Sequence, residues 1–197
     1  MEKSVNRIIE YPSTDLIQEY IDKFDHDSEI VAVENTLSEL FRIYPNNKVL
    51  PEILIKVVGI NSLYSTNIYA TVKVAHHILA QNIDTRLQTG SLELVDEIAL
   101  ININGKKRRN YSFASKYCHW HRPNIFPIYD SFVERLLWFY RENDNFMTFK
   151  RIELQQFSHY KEIIEGFRKF YKLTQFDFRN LDKFLWLYGK KHFPNQK

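Results

Sequence analysis

Phe157, Tyr160, Ile163, Ile164, Phe167, Phe170 and Tyr171 recur at the three- and four-residue intervals that place side chains on one face of an α-helix. This is the longest periodic segment of the chain, and the pattern predicts that it begins at Thr148 or nearby. The same period governs most of the sequence. Ile17, Tyr20, Ile21 and Phe24 stripe a helix expected over Leu16–Phe24, with Ser13 or Thr14 as its cap. Beyond the Asp25–Ser28 turn, a second helix is expected from about Glu29 to Tyr44, with Val31, Leu37, Leu40 and Phe41 as apolar members, stopped by Pro45-Asn46-Asn47. Leu50–Ile60 is apolar on nearly all sides, and Pro51-Glu52 suits a first helical turn, which favours a buried helix over a buried strand.

Small polar groups from Ile60 to Ile68 lead into a helix over Ile68–Gln81, striped by Val72, Ala75, Ile78 and Leu79. Its adjacent His76 and His77 diverge by about 100° on a helix, a poor metal pair. Gly90-Ser91 separates a short piece near Asp84–Leu87 from a helix over Leu92–Ile101. The last helix spans Leu181–Tyr188, where Gly189 at C′, Lys190 and Lys191 at the carbonyl end and Pro194 beyond form a stop signal. Strict alternation is hard to find anywhere. The pattern predicts an all-α fold, with residues 1–197 forming a single helical unit.

Charge changes this picture, because its distribution is uneven. Residues 1–100 carry 8 Lys/Arg against 15 Asp/Glu, whereas residues 101–197 carry 19 against 9, for an overall net charge of +3. A basic half attracts polyanions, and nucleic acid is the commonest one in a cytosol. The lone cysteine, Cys118, rules out an internal disulfide and fits a reducing compartment; its expected role is a small buried core residue. The first residues lack an apolar run suited to a signal peptide, and no apolar stretch approaches the roughly 20 residues of a membrane span. A soluble, cytoplasmic protein is expected.

The candidate chemistry gathers between Gly105 and Tyr140. Four cations, Lys106, Lys107, Arg108 and Arg109, precede a small-residue helical segment, Phe113-Ala114-Ser115-Lys116, and then the cluster from Cys118 to His121. After the Pro123–Pro127 loop, Asp130-Ser131-Phe132-Val133-Glu134 reads as a helix start. Ser131 and Glu134 match the capping box, and the helix dipole favours an ionised Asp130 carboxylate.

The combination FASKYCHWH…FPIYDSFVERLL resembles the helix–hairpin–helix DNA glycosylases, in particular their 8-oxoguanine-type branch. In that branch a Pro-Val-Asp-Thr-x-Val segment carries the catalytic aspartate; Pro127, Asp130, Ser131 and Val133 take those places here, with one extra residue between Pro127 and Asp130. A weaker match, INSLYSTNIYATVKVAHHI, resembles the family's polar loop that enters DNA beside an extruded base. The resemblance covers residues 60–140. It departs from the family in the hairpin, where ININGKKRRNYSF holds a single glycine, Gly105.

What the resemblance implies is a two-lobed helical bundle, with one lobe at residues 45–140 and another from 1–44 plus 141–197, and an active-site cleft between them. Its implied activity is removal of a damaged or modified base from double-stranded DNA. Asp130 would stabilise an oxocarbenium-like transition state, with Lys106, Lys107 or Lys116 as the counterpart of the lysine used by lyase-active members. Lys106, Lys107, Arg108, Arg109, Asn61, Ser65 and Asn67 would contact DNA, and Trp120, Tyr129, His119 and His121 would surround the extruded base. No cofactor, metal or protein partner is implied, and a DNA-binding protein would associate with the nucleoid. Three other readings remain at this point: a metal-dependent hydrolase using His119-x-His121 with Asp130, a non-catalytic nucleic-acid-binding protein on the same fold, and a protein-interaction module with an aromatic groove.

Overall fold

A computed structural model describes residues 9–194. It is mostly helical, as the periodicity predicts. α1 (Thr14–His26) begins at Ser13, whose hydroxyl accepts from the Leu16 amide at 3.2 Å. Asp27 ends α1 and caps α2 (Ser28–Ile43), its carboxylate accepting from the amides of Glu29 and Ile30 at 3.0 and 3.1 Å. α3 (Leu50–Leu63) carries Pro51 in its first turn, where the missing N–H would be unpaired in any case. α4 (Thr71–Ala80), α5 (Asp84–Thr89) and α6 (Glu93–Ala99) follow, with Gly90 in the left-handed region (φ 74°) closing α5.

The chain then departs from expectation. Instead of a helix running through Ile101, β1 (Leu100–Ile103) and β2 (Lys106–Arg109) form an antiparallel hairpin, with Leu100 opposite Arg109 and Ile103 opposite Lys106. Both turn residues, Asn104 (φ 53°) and Gly105 (φ 77°), have positive φ, the geometry that matches the right-handed twist of paired strands.

α7 (Tyr111–His121) leaves the hairpin directly, and α8 (Ser131–Asp144) follows an irregular segment. The periodic segment expected from Thr148 instead divides into a 3₁₀ turn at Arg151–Gln155 and α9 (Phe157–Phe170). α10 (Phe178–His192) is longer than the pattern suggests, and Gly189 lies inside it rather than at C′. The reason is packing: a Cβ at Gly189 would stand 2.7 Å from the Phe132 carbonyl oxygen, so the glycine lets α10 lie against the start of α8.

α10 packs against both α1 and α8, while α7 is covered by α2, α3 and α6. One cluster of buried apolar side chains runs from Leu16 to Tyr188 and includes members of both expected lobes. Cys118 is fully buried in it, and burial pushes its thiol pKa well up. No helix among the described residues is long and apolar enough to cross a membrane.

Candidate functional site

The α7 sequence YSFASKYCHWH buries nearly everything it carries, including Lys116, whose side chain is 3% exposed. A buried ammonium needs partners on every side. Its Nζ donates to Ser112 Oγ one turn back at 2.7 Å, to the Tyr129 carbonyl at 3.2 Å and to Asp130 Oδ2 at 3.2 Å. Asp130 is held by its second oxygen, Oδ1, which accepts from the Phe132 amide at 3.0 Å and so caps α8. Of the three candidate lysines, Lys116 is the one bonded to Asp130; Lys107 sits on the exposed β2 strand opposite Asn102. The expected Ser131–Glu134 capping box does not form. Asp130 takes the N-cap position, and Glu134 turns inward to accept from the Tyr129 hydroxyl and from Arg151 Nε at 2.9 Å.

Lys116 stands in the wall of a cavity of about 220 Å³ bounded by α1, α2, the end of α3, α7 and α10. Phe24, Ile30, Val33, Leu63, Ile128 and Trp186 supply apolar walls, and Tyr64, Glu34, Arg179 and Asp182 a polar side. Arg179 links the two acids, donating to Asp182 Oδ2 at 2.6 Å and to Glu34. The Tyr64 hydroxyl donates to the other Glu34 oxygen at 3.1 Å, and Lys116 Nζ lies 5.4 Å from the centre of the Tyr64 ring. Burial raises the Asp182 carboxyl pKa to about 6, opposed by the attraction of Arg179 and Lys116 and reinforced by the negative charge of Asp130. Burial also raises the Tyr64 pKa, keeping its phenol protonated. A small, mostly apolar cavity with a few convergent charged groups and a shifted carboxyl has the character of a ligand site.

The aromatic and histidine side chains expected around an extruded base sit elsewhere. Tyr129 is buried between Tyr111 and Tyr160, with ring centroids at 4.5 and 5.5 Å, and its hydroxyl is committed to Glu134. His119 Nδ1 meets the Phe126 carbonyl at 2.8 Å, and burial lowers its pKa to about 4. His121 points the other way, toward Asn47 Nδ2 at 3.2 Å, and burial lowers its pKa to about 3. With rings on opposite errands, the pair does not make the chelate that the hydrolase reading requires. Among the described residues no three His, Cys, Asp or Glu side chains are arranged to hold a metal ion. Trp120 packs beside Phe41 and under the Arg179 guanidinium, behind the cavity rather than in its wall.

The expected DNA contacts divide into two groups. Lys106, Lys107, Arg108 and Arg109 are all exposed along β2, but Arg109 is partly engaged: it pairs with Asp96 at 2.7 Å, donates to the Gln155 carbonyl and lies over the Tyr111 ring. Asn61 is turned inward to hold the loop that follows α3, whereas Ser65 (φ 50°) and Asn67 (φ 59°) are exposed on that loop in left-handed backbone. That loop and the hairpin flank a groove of about 340 Å³ lined by Thr66, Arg109, Tyr111, Ser112 and Gln155. Ser112 connects the groove to Lys116.

Sequence reasoning did not select Tyr64, Glu34, Arg179, Asp182, Phe24 or Trp186. A signal existed for Asp182. It follows Leu181 and precedes Phe184 and Leu185 on the face of a helix that otherwise faces the core, and a carboxylate there needs a reason.

Comparison with known proteins places the chain in a family. The profile of HI_0787_N, described as an N-terminal domain, matches residues 16–125, more than half of the chain. The chain belongs to this family. The match takes in Glu34, Tyr64, the hairpin and Lys116 and ends before Asp130 and α10. A Haemophilus influenzae protein described as an uncharacterized protein is 44% identical over 138 residues, which cover 70% of this chain and 66% of the relative. No solved structure matches.

Proposed function

We propose that this protein excises a damaged or modified base from double-stranded DNA, with Lys116 and Asp130 as its reacting pair. The observation that carries this reading is the 3.2 Å contact between Asp130 Oδ2 and the Nζ of Lys116, which itself lines the cavity. An amine and a carboxylate side by side suit a reaction in which positive charge develops on a sugar carbon. The exposed cations of β2, which directly precede the helix that carries Lys116, support the same reading.

DNA would lie against the β2 cations and extrude one nucleotide, at a cost of a few kcal/mol for unstacking and unpairing. The base would enter between Phe24, Tyr64 and Trp186. As the C1′–N bond breaks, its electron pair leaves with the base, which gains a proton, and the Asp130 carboxylate stabilises the positive sugar. Lys116, having passed that proton to the departing base, then forms the new bond at C1′; where water takes that role, Asp130 accepts its proton. On this reading the protein works at the nucleoid in the cytoplasm.

One observation favours a second reading, a DNA-binding protein without chemistry. Asp130 caps α8 and Lys116 ties α7 to the Tyr129 carbonyl, so both residues also hold the fold together. Base release separates the two readings. Duplexes carrying 8-oxoguanine opposite each base, uracil or alkylated adenine are incubated with wild type and Asp130→Asn, with and without alkali. Release by wild type that slows at least about 100-fold in the variant is the expected result. Equal rates would remove Asp130 from the chemistry, and binding with no release on any duplex would leave the second reading.

A further inference from the structure

Tyr69 is 96% exposed, an unusual position for an aromatic ring on a well-held loop. The loop is fixed from within. Asn61 Oδ1 accepts from the Ile68 amide at 2.8 Å and from Thr66 Oγ1 at 2.9 Å, and its Nδ2 donates to the Ile68 carbonyl at 2.9 Å. Ile68 is buried beneath, so the next residue is presented outward on a firm base. Tyr69 borders a groove of about 350 Å³ that it shares with Val72, Lys73 and the hairpin turn at Ile103-Asn104. Lys73 donates to the Asn104 side chain, tying α4 to that turn. Exposed Lys106, Lys107 and Arg108 leave the same turn along β2.

The loop also borders each of the hollows described above. Tyr64 lines the Lys116 cavity, Thr66 the groove beside Arg109, and Tyr69 the groove at the hairpin turn. One short segment therefore leads from the proposed reacting pair to a projecting ring among cations.

We propose that Tyr69 is a stacking residue that takes up an unstacked nucleobase of DNA where the strand is opened. The inference rests on the DNA-binding part of the proposed function. A flat ring with an apolar face, offered to solvent beside several cations, complements a base attached to a phosphate chain, and the contact tolerates any base because every base has a π-face. A tyrosine ring suits this task because few torsions must be ordered to place it.

The test measures binding of the full chain to three labelled probes: a fully paired duplex, the same duplex with one abasic position, and a single strand. Wild type is compared with Tyr69→Ala, Tyr69→Phe and the double variant Lys107→Ala/Arg108→Ala. Tyr69→Ala is expected to weaken binding to the abasic duplex about 5- to 150-fold, the range for loss of one stacked base. Tyr69→Phe is expected to stay within about twofold because it keeps the ring. The double variant is expected to weaken all three probes and to flatten the salt dependence by about two phosphate contacts. Wild-type affinity in Tyr69→Ala on the abasic duplex, or no DNA binding by wild type at low salt, overturns the proposal. Base release is read separately. Tyr69-dependent binding without release leaves the stacking residue and removes the excision reading; release with Tyr69-independent binding does the reverse.

Discussion

Replacing Asp182 by Asn tests the electrostatics of the cavity. Asp182 is 8% exposed and accepts from Arg179 at 2.6 Å, yet burial outweighs that attraction and raises its pKa from 3.8 to about 6. Its charged form therefore costs the fold about 3 kcal/mol at neutral pH, at about 1.4 kcal/mol per pH unit between the folded and unfolded carboxyl. The folded state holds this proton more tightly than the unfolded chain does. The corresponding stability is fully present below about pH 4 and is lost as pH rises through about 6. Asn keeps the size and an acceptor for Arg179 without the charge. Asp182→Asn is expected to be more stable than wild type near pH 7 by up to about 3 kcal/mol, a rise in Tm of about 6–12 °C for a chain of this size. The gap should close toward about pH 4, where the wild-type carboxyl is protonated.

Other titrations act in the opposite direction. His119 and His121, with pKa values lowered to about 4 and about 3, contribute stability that is lost as pH falls through those values. The wild-type curve alone mixes these effects, but the difference between the two proteins isolates Asp182 and the charges that face it: Arg179, Lys116 and Asp130. Denaturant unfolding of both proteins at several pH values provides the measurement. A gap that stays constant with pH, or a variant less stable than wild type at neutral pH, would refute the reasoning.

Gly189→Ala places a Cβ 2.7 Å from the Phe132 carbonyl oxygen. The expected result is a net loss of about 1–2 kcal/mol in thermal unfolding, despite the better helix propensity of alanine; a gain would show that α8 and α10 can separate without cost. Asn61→Ala removes three hydrogen bonds that fix the loop after α3. It is expected to cost about 1–3 kcal/mol and to speed proteolytic cleavage near Ser65–Tyr69; unchanged cleavage would mean that the loop is held by other contacts.

Most of the helices were legible in the sequence because they bury one face, and a face repeats. Ile17, Tyr20, Ile21 and Phe24 mark α1, and the Asp130 helix start is real even though its cap is Asp130 rather than Ser131. The hairpin was missed, although it carries a signal of a different kind. Ile101-Asn102-Ile103 alternates, and Asn104-Gly105 is the dipeptide best suited to a two-residue turn, but a span of four residues per strand is easily absorbed into a helical reading of Leu92–Ile101. Gly189 followed by two lysines has the composition of a helix end, and only the approach of Phe132 from a distant helix shows why glycine is needed there. Half of the candidate site was open to sequence reasoning, since Lys116 and Asp130 lie 14 residues apart in one stretch. The other half was not. Glu34 on α2 and Arg179 on α10 are separated by 145 residues and meet only in the folded chain.

The central claim is that Lys116 and Asp130 act together on an opened nucleotide, and borohydride trapping tests it most directly. A Schiff base between a lysine amine and sugar C1′ is reduced by hydride to a stable secondary amine, and the cross-linked peptide is then located by mass spectrometry. Wild type, Lys116→Gln and Asp130→Asn are compared on a duplex from which wild type releases base, after thermal unfolding has shown that each variant is folded. The account expects a cross-link on the peptide containing Lys116, absent from Lys116→Gln and strongly reduced in Asp130→Asn. An equal cross-link in Lys116→Gln, or base release by Lys116→Gln and Asp130→Asn at the wild-type rate, would contradict it.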